Sequence, residues 1–125
     1  MLHQRHYTAA EANAALPRVR ALVRRLQAAK RTLTVEGLDS GFAALAEVSG
    51  GAYAGQVRAE AVVGAALGFE ALEELEVVVR DLEAGLIDFP ALRDDREVYL
   101  CWHVDEPAVG HWHSPEAGYT GRLPL

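Results

Sequence analysis

The chain has 125 residues and a mass of 13.5 kDa; half of its residues are hydrophobic and 24% are charged. This composition is typical of one globular domain and excludes a collagen-like repeat or a wholly disordered chain. The longest stretch without Asp, Glu, Lys or Arg covers ten residues, 48–57, whereas a bilayer-spanning helix needs about 20 apolar residues. We therefore expect no membrane span. Because the first six residues lack the apolar run of a signal peptide, we expect a cytoplasmic protein.

The charge balance argues against nucleic acid as the main partner. Eighteen acidic residues and twelve basic ones give a net charge of −6, which is the wrong sign for a protein that coats phosphates. Basic residues concentrate in 18–31 and acidic residues in 70–83, which we interpret as charge complementarity between two helices. Cys101 is the sole cysteine, so the chain cannot form an internal disulfide.

A first helix is predicted over residues 8–36. Thr8 and Glu11 have the spacing of a capping box, in which each side chain accepts a hydrogen bond from the other residue's backbone N–H. Behind the box, apolar residues recur in steps of four and three, as in a coiled-coil seam. Pro17 predicts either a kink or a later start of this helix. The seam consists of Ala12, Leu16, Val19, Val23 and Leu26, and its spacing continues through Lys30 and Leu33.

A second helix is predicted over residues 57–84, after a Gly- and Ala-rich segment, 37–56, that we expect to be a flexible connection. A seam with the same steps runs along it, and Gly85 stands where a left-handed helix cap is expected. The two helices are expected to pack antiparallel, seam to seam, as a helical hairpin. The second seam consists of Ala61, Ala65, Gly68, Leu72, Leu75, Val79 and Leu82.

The C-terminal third predicts strands. Residues 85–96 are interpreted as a linker, 97–104 as a strand because apolar and polar residues alternate, 109–113 as the return strand of a β-hairpin, and 114–125 as a tail. Two strands alone are only marginally stable, so the apolar face of the hairpin is expected to lie on the helices. The predicted fold class is α+β: two long antiparallel helices followed by a C-terminal β-hairpin packed on them.

The hairpin contains a candidate metal site. If His103 faces His111 across the hairpin, Cys101 faces His113 and all four side chains share one face. One thiolate and three imidazoles are ligand types for zinc, copper or iron, and zinc is the first choice. The simpler alternative is a half-buried cysteine beside surface histidines, because no CxxC or HxxxH spacing is present. A third interpretation makes Cys101 a nucleophile with His113 as its base, but no Gly-rich loop is placed to form an oxyanion hole.

Distinctive motifs occur towards both ends of the chain. They are Tyr7-Thr8 and Glu11-Ala12-Asn13, then 85–93 (GLIDFPALR) and 96–102 (REVYLCW), and finally Trp112-His113, Gly118 and Gly121-Arg122. Together they resemble the bacterial family of domain of unknown function 2203, over roughly residues 5–35 and 70–125. The resemblance implies a long helical hairpin followed by an aromatic tail, and it implies no activity. It also implies matching positions for Cys101 and His113, whereas His103, His111 and the 37–56 connection depart from the family pattern.

A second candidate site follows from the same resemblance, because Asp88, Arg93, Arg96 and Arg122 match family motif positions. One interpretation is a site that binds an anion or a carboxylate. The other, which we favour, is structural: Asp88 pairs with a neighbouring Arg and holds the linker against the helices.

The sequence favours a small non-enzymatic protein that self-associates through its helices, as a homodimer approaching a four-helix bundle. Two helices have too little chain to cover both seams, which is the motivation for this hypothesis. Such a protein would serve as an interaction or regulatory module. The alternative is a transition-metal-binding protein that uses the cysteine and histidines of the hairpin.

Overall fold

The computed structural model describes residues 1–35 and 52–125. In these ranges two helices precede a five-stranded antiparallel sheet, whose strands lie side by side in chain order. The α+β class is confirmed. Residues 37–51 of the predicted connection, 37–56, lie outside the described residues. Its last five residues, 52–56, belong to the second helix. The helices are α1 (Ala9–Val35) and α2 (Ala52–Glu74); the strands are β1 (Val78–Asp81), β2 (Leu86–Arg93), β3 (Arg96–His103), β4 (His111–His113) and β5 (Leu123–Pro124).

α1 begins at the predicted capping box. The backbone N–H of Thr8 donates to the Glu11 carboxylate at 3.0 Å, and the N–H of Glu11 donates to the Thr8 hydroxyl at 3.1 Å. Both bonds satisfy N–H groups that the first turn of a helix leaves without partners. Pro17 lies inside α1, so a later start of the helix is the wrong alternative.

α1 packs its seam against α2 and against one face of the sheet. The Tyr7 hydroxyl donates to the carbonyl of Leu75 at 2.6 Å, whereas Gly68 lies against the side chain of Leu26. The two helices therefore run in opposite directions. The sheet covers much of the α1 seam within one chain. The shared core includes Ala12, Leu16, Val19, Val23 and Leu26 of α1, Leu72 of α2, and Ile87, Phe89, Ala91, Val98, Leu100 and Trp102 of β2 and β3.

α2 ends at Glu74, ten residues before its predicted end at residue 84. The N–H groups of Glu76 and Val77 donate to the carbonyls of Glu73 and Leu72, at 2.9 and 3.1 Å, and Glu76 has a left-handed φ of 56°. This pair of bonds is a Schellman motif, which closes a helix. Beyond it, residues 77–79 are three consecutive valines, and β-branched side chains favour a strand over a helix.

The predicted linker, 85–96, is mostly strand β2, which pairs with β1 on one side and along its whole length with β3 on the other. Asp94 and Asp95 have φ values of 53° and 63°, as a two-residue type I′ hairpin turn requires. The segment was predicted to be a linker because Pro90 is typical of turns. The carbonyl of Pro90 points away from β3 and accepts the N–H of Tyr7 at 2.7 Å. Because the β1 pairing ends at Asp88, the missing N–H of Pro90 breaks no ladder bond on that side.

The predicted hairpin is part of the larger sheet, and its register differs from the expected one. Cys101 faces His111 and Tyr99 faces His113, whereas the prediction set Cys101 opposite His113. The connection between β3 and β4 is longer than a four-residue turn because it buries Val109 in the core. The shift is two residues, so the alternation still directs all of these side chains to the same face.

The sheet face turned away from the helices carries the polar side chains of β2, β3 and β4. The predicted tail, 114–125, supplies a short 3-10 helix, Tyr119–Gly121, and strand β5. Pro115 and Gly118 lie beside this polar face. The candidate site is built here.

Candidate metal centre

Three buried side chains meet on the polar face of the sheet: Asp88, Cys101 and His113. Asp88 of β2 lies directly opposite Cys101 of β3, and His113 of β4 is opposite Tyr99, two residues before Cys101 on the same strand. Their ligand atoms, a carboxylate oxygen, a thiol sulfur and an imidazole nitrogen, all lie within 4.8 Å of one another. The three residues are 2%, 2% and 3% exposed. Adjacent strands thus bring together three metal-ligand types at one buried point.

The hydrogen bonds of His113 define which ring nitrogen carries a proton. Nδ1 lies 2.8 Å from the carbonyl oxygen of Ser114, and because a carbonyl only accepts, Nδ1 must donate. Nε2 lies 2.9 Å from both carboxylate oxygens of Asp88. In the neutral imidazole, Nε2 would then direct a lone pair at a carboxylate. The contact is favourable only if a cation, either a second proton or a metal ion, lies between them.

Two arginines flank the cluster. Arg80 of β1 donates through Nε to Asp88 at 2.8 Å, and its guanidinium lies 4.8 Å from the centre of the Tyr99 ring. Burial alone would lower the pKa of Arg80, but the hydrogen bond and the negative charge of Asp88 raise it overall. Arg122 donates to Glu106 at 2.9 Å. Arg80 therefore pairs with a member of the cluster, Asp88, whereas Arg122 pairs with Glu106 outside it.

Cys101 is a protonated thiol when only protein groups surround it. Burial raises the pKa of Cys101 to about 11, and the negative charge of Asp88 acts in the same direction, while Arg122 lowers it by less. An activated cysteine nucleophile needs a lowered pKa and a neighbouring base. Both ring nitrogens of His113 are directed at Asp88 and Ser114. This geometry does not support the interpretation of Cys101 and His113 as a nucleophile and its base.

The four predicted metal ligands are divided by the structure. Cys101 and His113 belong to the buried cluster, whereas His111, directly opposite Cys101, and His103 do not. Nδ1 of His103 accepts the N–H of Asp105 at 3.2 Å. Nδ1 of His111 is buried without a hydrogen-bond partner and lies 3.8 Å from a Glu106 oxygen.

Asp88 is the member of the cluster that the predicted metal site did not include, because its segment was interpreted as a linker. The available signal was a lone carboxylate between Ile87 and Phe89, which is unusual in a strand that packs both faces.

The structure brings only two of the four residues of the second candidate site to the same place, since Asp88 and Arg122 both lie beside Cys101. Asp88 pairs with Arg80, a residue that the prediction did not include. Arg93 lies over the Trp112 ring at 4.5 Å, and Arg96 follows the turn between β2 and β3. Arg93 and Arg96 border a groove at that end of the sheet, and Arg122 is not part of its lining. Asp88 thus has an arginine partner, as the structural interpretation expected, but a different arginine from those proposed.

A cavity of about 240 Å³ adjoins the cluster. Asp88, Cys101 and His113 form part of its lining, and the remaining walls come from Arg80, Leu86, Pro115, Gly118 and Tyr119. The cavity therefore lies directly beside the buried cluster.

Comparisons with known proteins give a family and no activity. No helix in the described residues is long and apolar enough to span a bilayer. No curated protein and no solved structure matches the chain. The profile described as "Uncharacterized conserved protein (DUF2203)" matches residues 5–125. The chain therefore belongs to the DUF2203 family.

Proposed function

We propose that the protein binds a divalent transition metal ion, with zinc as the first choice, through Asp88, Cys101 and His113. The observation that carries the proposal is the hydrogen bonding of His113. A histidine that ligates a metal through one nitrogen usually donates its other N–H to a carbonyl or a carboxylate, and the Ser114 carbonyl accepts this bond at 2.8 Å. Nε2 then faces the Asp88 carboxylate at 2.9 Å, where a bound metal ion would join the two side chains.

The ligand set and its spacing support zinc. Zinc accepts thiolate, imidazole and carboxylate ligands at about 2.0–2.3 Å, which places tetrahedral ligand atoms about 3.3–3.6 Å apart. The three atoms already lie within 4.8 Å of one another, so small side-chain movements suffice. Binding would displace the proton of Cys101, since the ligand is the thiolate. A single reduced thiol is also typical of a reducing compartment, and a cytoplasmic location is part of the proposal.

Metal analysis of tag-free protein tests the proposal. We expect one zinc ion per chain in the wild type after exposure to zinc and removal of the excess, and loss of the metal in His113→Ala. The matched control is His111→Ala, because His111 lies on the same strand and the same face but outside the cluster. Retention of zinc by His113→Ala, or no zinc in the wild type, would contradict the proposal.

Self-association is a second candidate function, supported by a different surface from the predicted seams. α2 carries an exposed apolar face whose large side chains are 47–60% exposed, namely Val62, Val63, Leu67 and Phe69. An exposed apolar patch of this kind often marks a contact with another protein. We propose that a second copy covers this face, giving a homodimer through the helices that serves as an interaction or regulatory module.

Sedimentation velocity separates the dimer from the monomer. Leu67→Glu is expected to convert the dimer into a monomer, because the substitution would bury a charge in the interface. Leu92→Glu is the matched control, since Leu92 is also about half exposed but lies on β2. A monomeric wild type at tens of micromolar would contradict self-association and leave metal binding unaffected.

A further inference from the structure

We infer that the metal-bound protein takes a small carboxylate or bicarbonate-like monoanion between the metal ion and Arg80. This inference rests on the proposed metal site and extends it from an ion-binding function to a ligand-binding one.

The first argument is the number of protein ligands. Asp88, Cys101 and His113 are the one group of three or more candidate ligands in the described part of the chain. Zinc sites with three protein ligands keep a fourth position for water or an exchangeable ligand, whereas closed structural sites use four. The cavity of about 240 Å³ is lined by all three ligands, so the fourth position has room for a molecule larger than water.

The second argument is charge. A divalent ion, a thiolate, a carboxylate and a neutral imidazole sum to zero, which leaves the positive charge of Arg80 at the edge of the cavity. Arg122, the other nearby cation, is balanced by Glu106 at 2.9 Å. Arg80 uses Nε on Asp88, its side chain is 47% exposed, and a guanidinium carries four further N–H donors. The bound metal and Arg80 together therefore favour an anion over a neutral ligand.

The third argument is size and lining. The cavity is smaller than the 300–1,000 Å³ typical of drug-sized ligands, which favours an anion of a few heavy atoms. Leu86 and Pro115 give the walls an apolar part that suits the alkyl end of a small carboxylic acid. One guanidinium and one open metal position match the two oxygens of a carboxylate.

Substitution with Co²⁺ allows metal binding and anion binding to be followed by absorption spectroscopy, without an activity assay. Co²⁺ bound to Cys101 gives a thiolate-to-metal charge-transfer band, and its d–d bands report the fourth ligand. The probe is sodium acetate, compared with sodium perchlorate at equal ionic strength and with inorganic phosphate. We expect acetate to change the d–d bands saturably, perchlorate to leave them unchanged, and phosphate to bind more weakly than acetate.

Arg80→Gln should weaken acetate binding by about tenfold or more, which corresponds to the loss of one charge-assisted hydrogen bond. Arg80→Lys keeps the positive charge and should therefore lose less acetate affinity than Arg80→Gln. If Arg80→Gln no longer binds cobalt, the lysine variant provides the comparison. Arg93→Gln is the control, because Arg93 lies over Trp112 and outside the cavity.

The two possible failures are distinguishable. A charge-transfer band with d–d bands that do not respond to acetate overturns the anion inference and leaves the metal site standing. Acetate binding that is the same in the wild type, Arg80→Gln and Arg80→Lys also overturns it. Absence of the charge-transfer band overturns the metal site and the anion inference together.

Discussion

Replacement of Asp88 by asparagine tests the central carboxylate of the cluster while keeping its shape. Asp88 is 2% exposed and has two charged or polar partners, Nε of Arg80 at 2.8 Å and Nε2 of His113 at 2.9 Å. Hydrogen bonds to a charged group contribute about 1.5–3 kcal/mol each. In the metal-free protein a second proton lies between Nε2 of His113 and Asp88, so both partners of Asp88 donate hydrogen bonds to it. Asparagine keeps one acceptor oxygen and turns an amide N–H₂ towards one of these two donors. Since Arg80 is half exposed and can turn to water, most of the loss falls on His113. We expect Asp88→Asn to lower the free energy of unfolding by about 2–4 kcal/mol without metal.

Urea unfolding followed by circular dichroism, with EDTA or with zinc, measures this prediction. At a zinc concentration 100-fold above its Kd, the wild type should gain about 2.7 kcal/mol, and Asp88→Asn should gain much less. Asp105→Asn is the control, because Asp105 pairs with Arg24 at 2.9 Å on the surface and should cost about 0.5 kcal/mol or less. A cost below about 1 kcal/mol for Asp88→Asn in EDTA, or equal stabilisation of both proteins by zinc, would refute the reasoning.

Three further predictions concern other parts of the structure. Burial raises the pKa of Glu97, but hydrogen bonds from His6 and from the N–H groups of Leu2 and His3 outweigh it and lower the pKa to about 2. Because this pKa lies below its unfolded value of about 4.3, the stabilisation is complete above that pH and is lost as the pH falls towards 2. Glu97→Gln should therefore cost about 1–2 kcal/mol at pH 7, after allowance for solvent screening, and the difference from the wild type in urea unfolding should vanish near pH 2. Cys101 of the metal-free protein should react with iodoacetamide at pH 7.5 at least about tenfold more slowly than free cysteine, because the thiol is buried and its pKa is raised; a faster rate in a mass-spectrometric time course would revive the nucleophile hypothesis. Gly85→Ala should lower the free energy of unfolding by about 2–4 kcal/mol in the same urea assay, since φ is 74° and an added Cβ would lie 2.4 Å from a Val104 methyl carbon, and an unchanged stability would show that this turn can move.

The helical part of the fold was predictable to the extent that its signals are local. The capping box and the α1 seam depend on residues three and four positions apart, and both are found from Thr8 to Leu26. The end of α2 was mispredicted because Leu75, Val79 and Leu82 continue the helical spacing by coincidence. The competing signal, three valines in a row, favours a strand only when a partner strand is available. That partner is β2, which the prediction had treated as a linker.

The candidate site was predictable from alternation within strands but not from pairing between them. Cys101 and His113 were placed on one face because side chains alternate along β3 and β4. Asp88 was missed because its pairing with Cys101 depends on β2, whose Pro90 made the segment look like a turn. The predicted metal site included His103 and His111 because a four-residue turn would set them opposite each other. The actual register depends on a longer loop, and the sequence did not show that this loop buries Val109.

The order of elements along the chain also has a consequence during synthesis. α1 emerges from the ribosome before the sheet face that covers much of its seam, because that face consists of residues 87–102, which emerge only after α2. Until then the helix exposes a continuous apolar stripe to solvent. Once β2 and β3 emerge, their two-residue turn allows rapid local pairing. Assembly of the cluster of Asp88, Cys101 and His113 and burial of α1 therefore become one late event, and a nascent chain stalled before residue 86 is expected to be prone to aggregation.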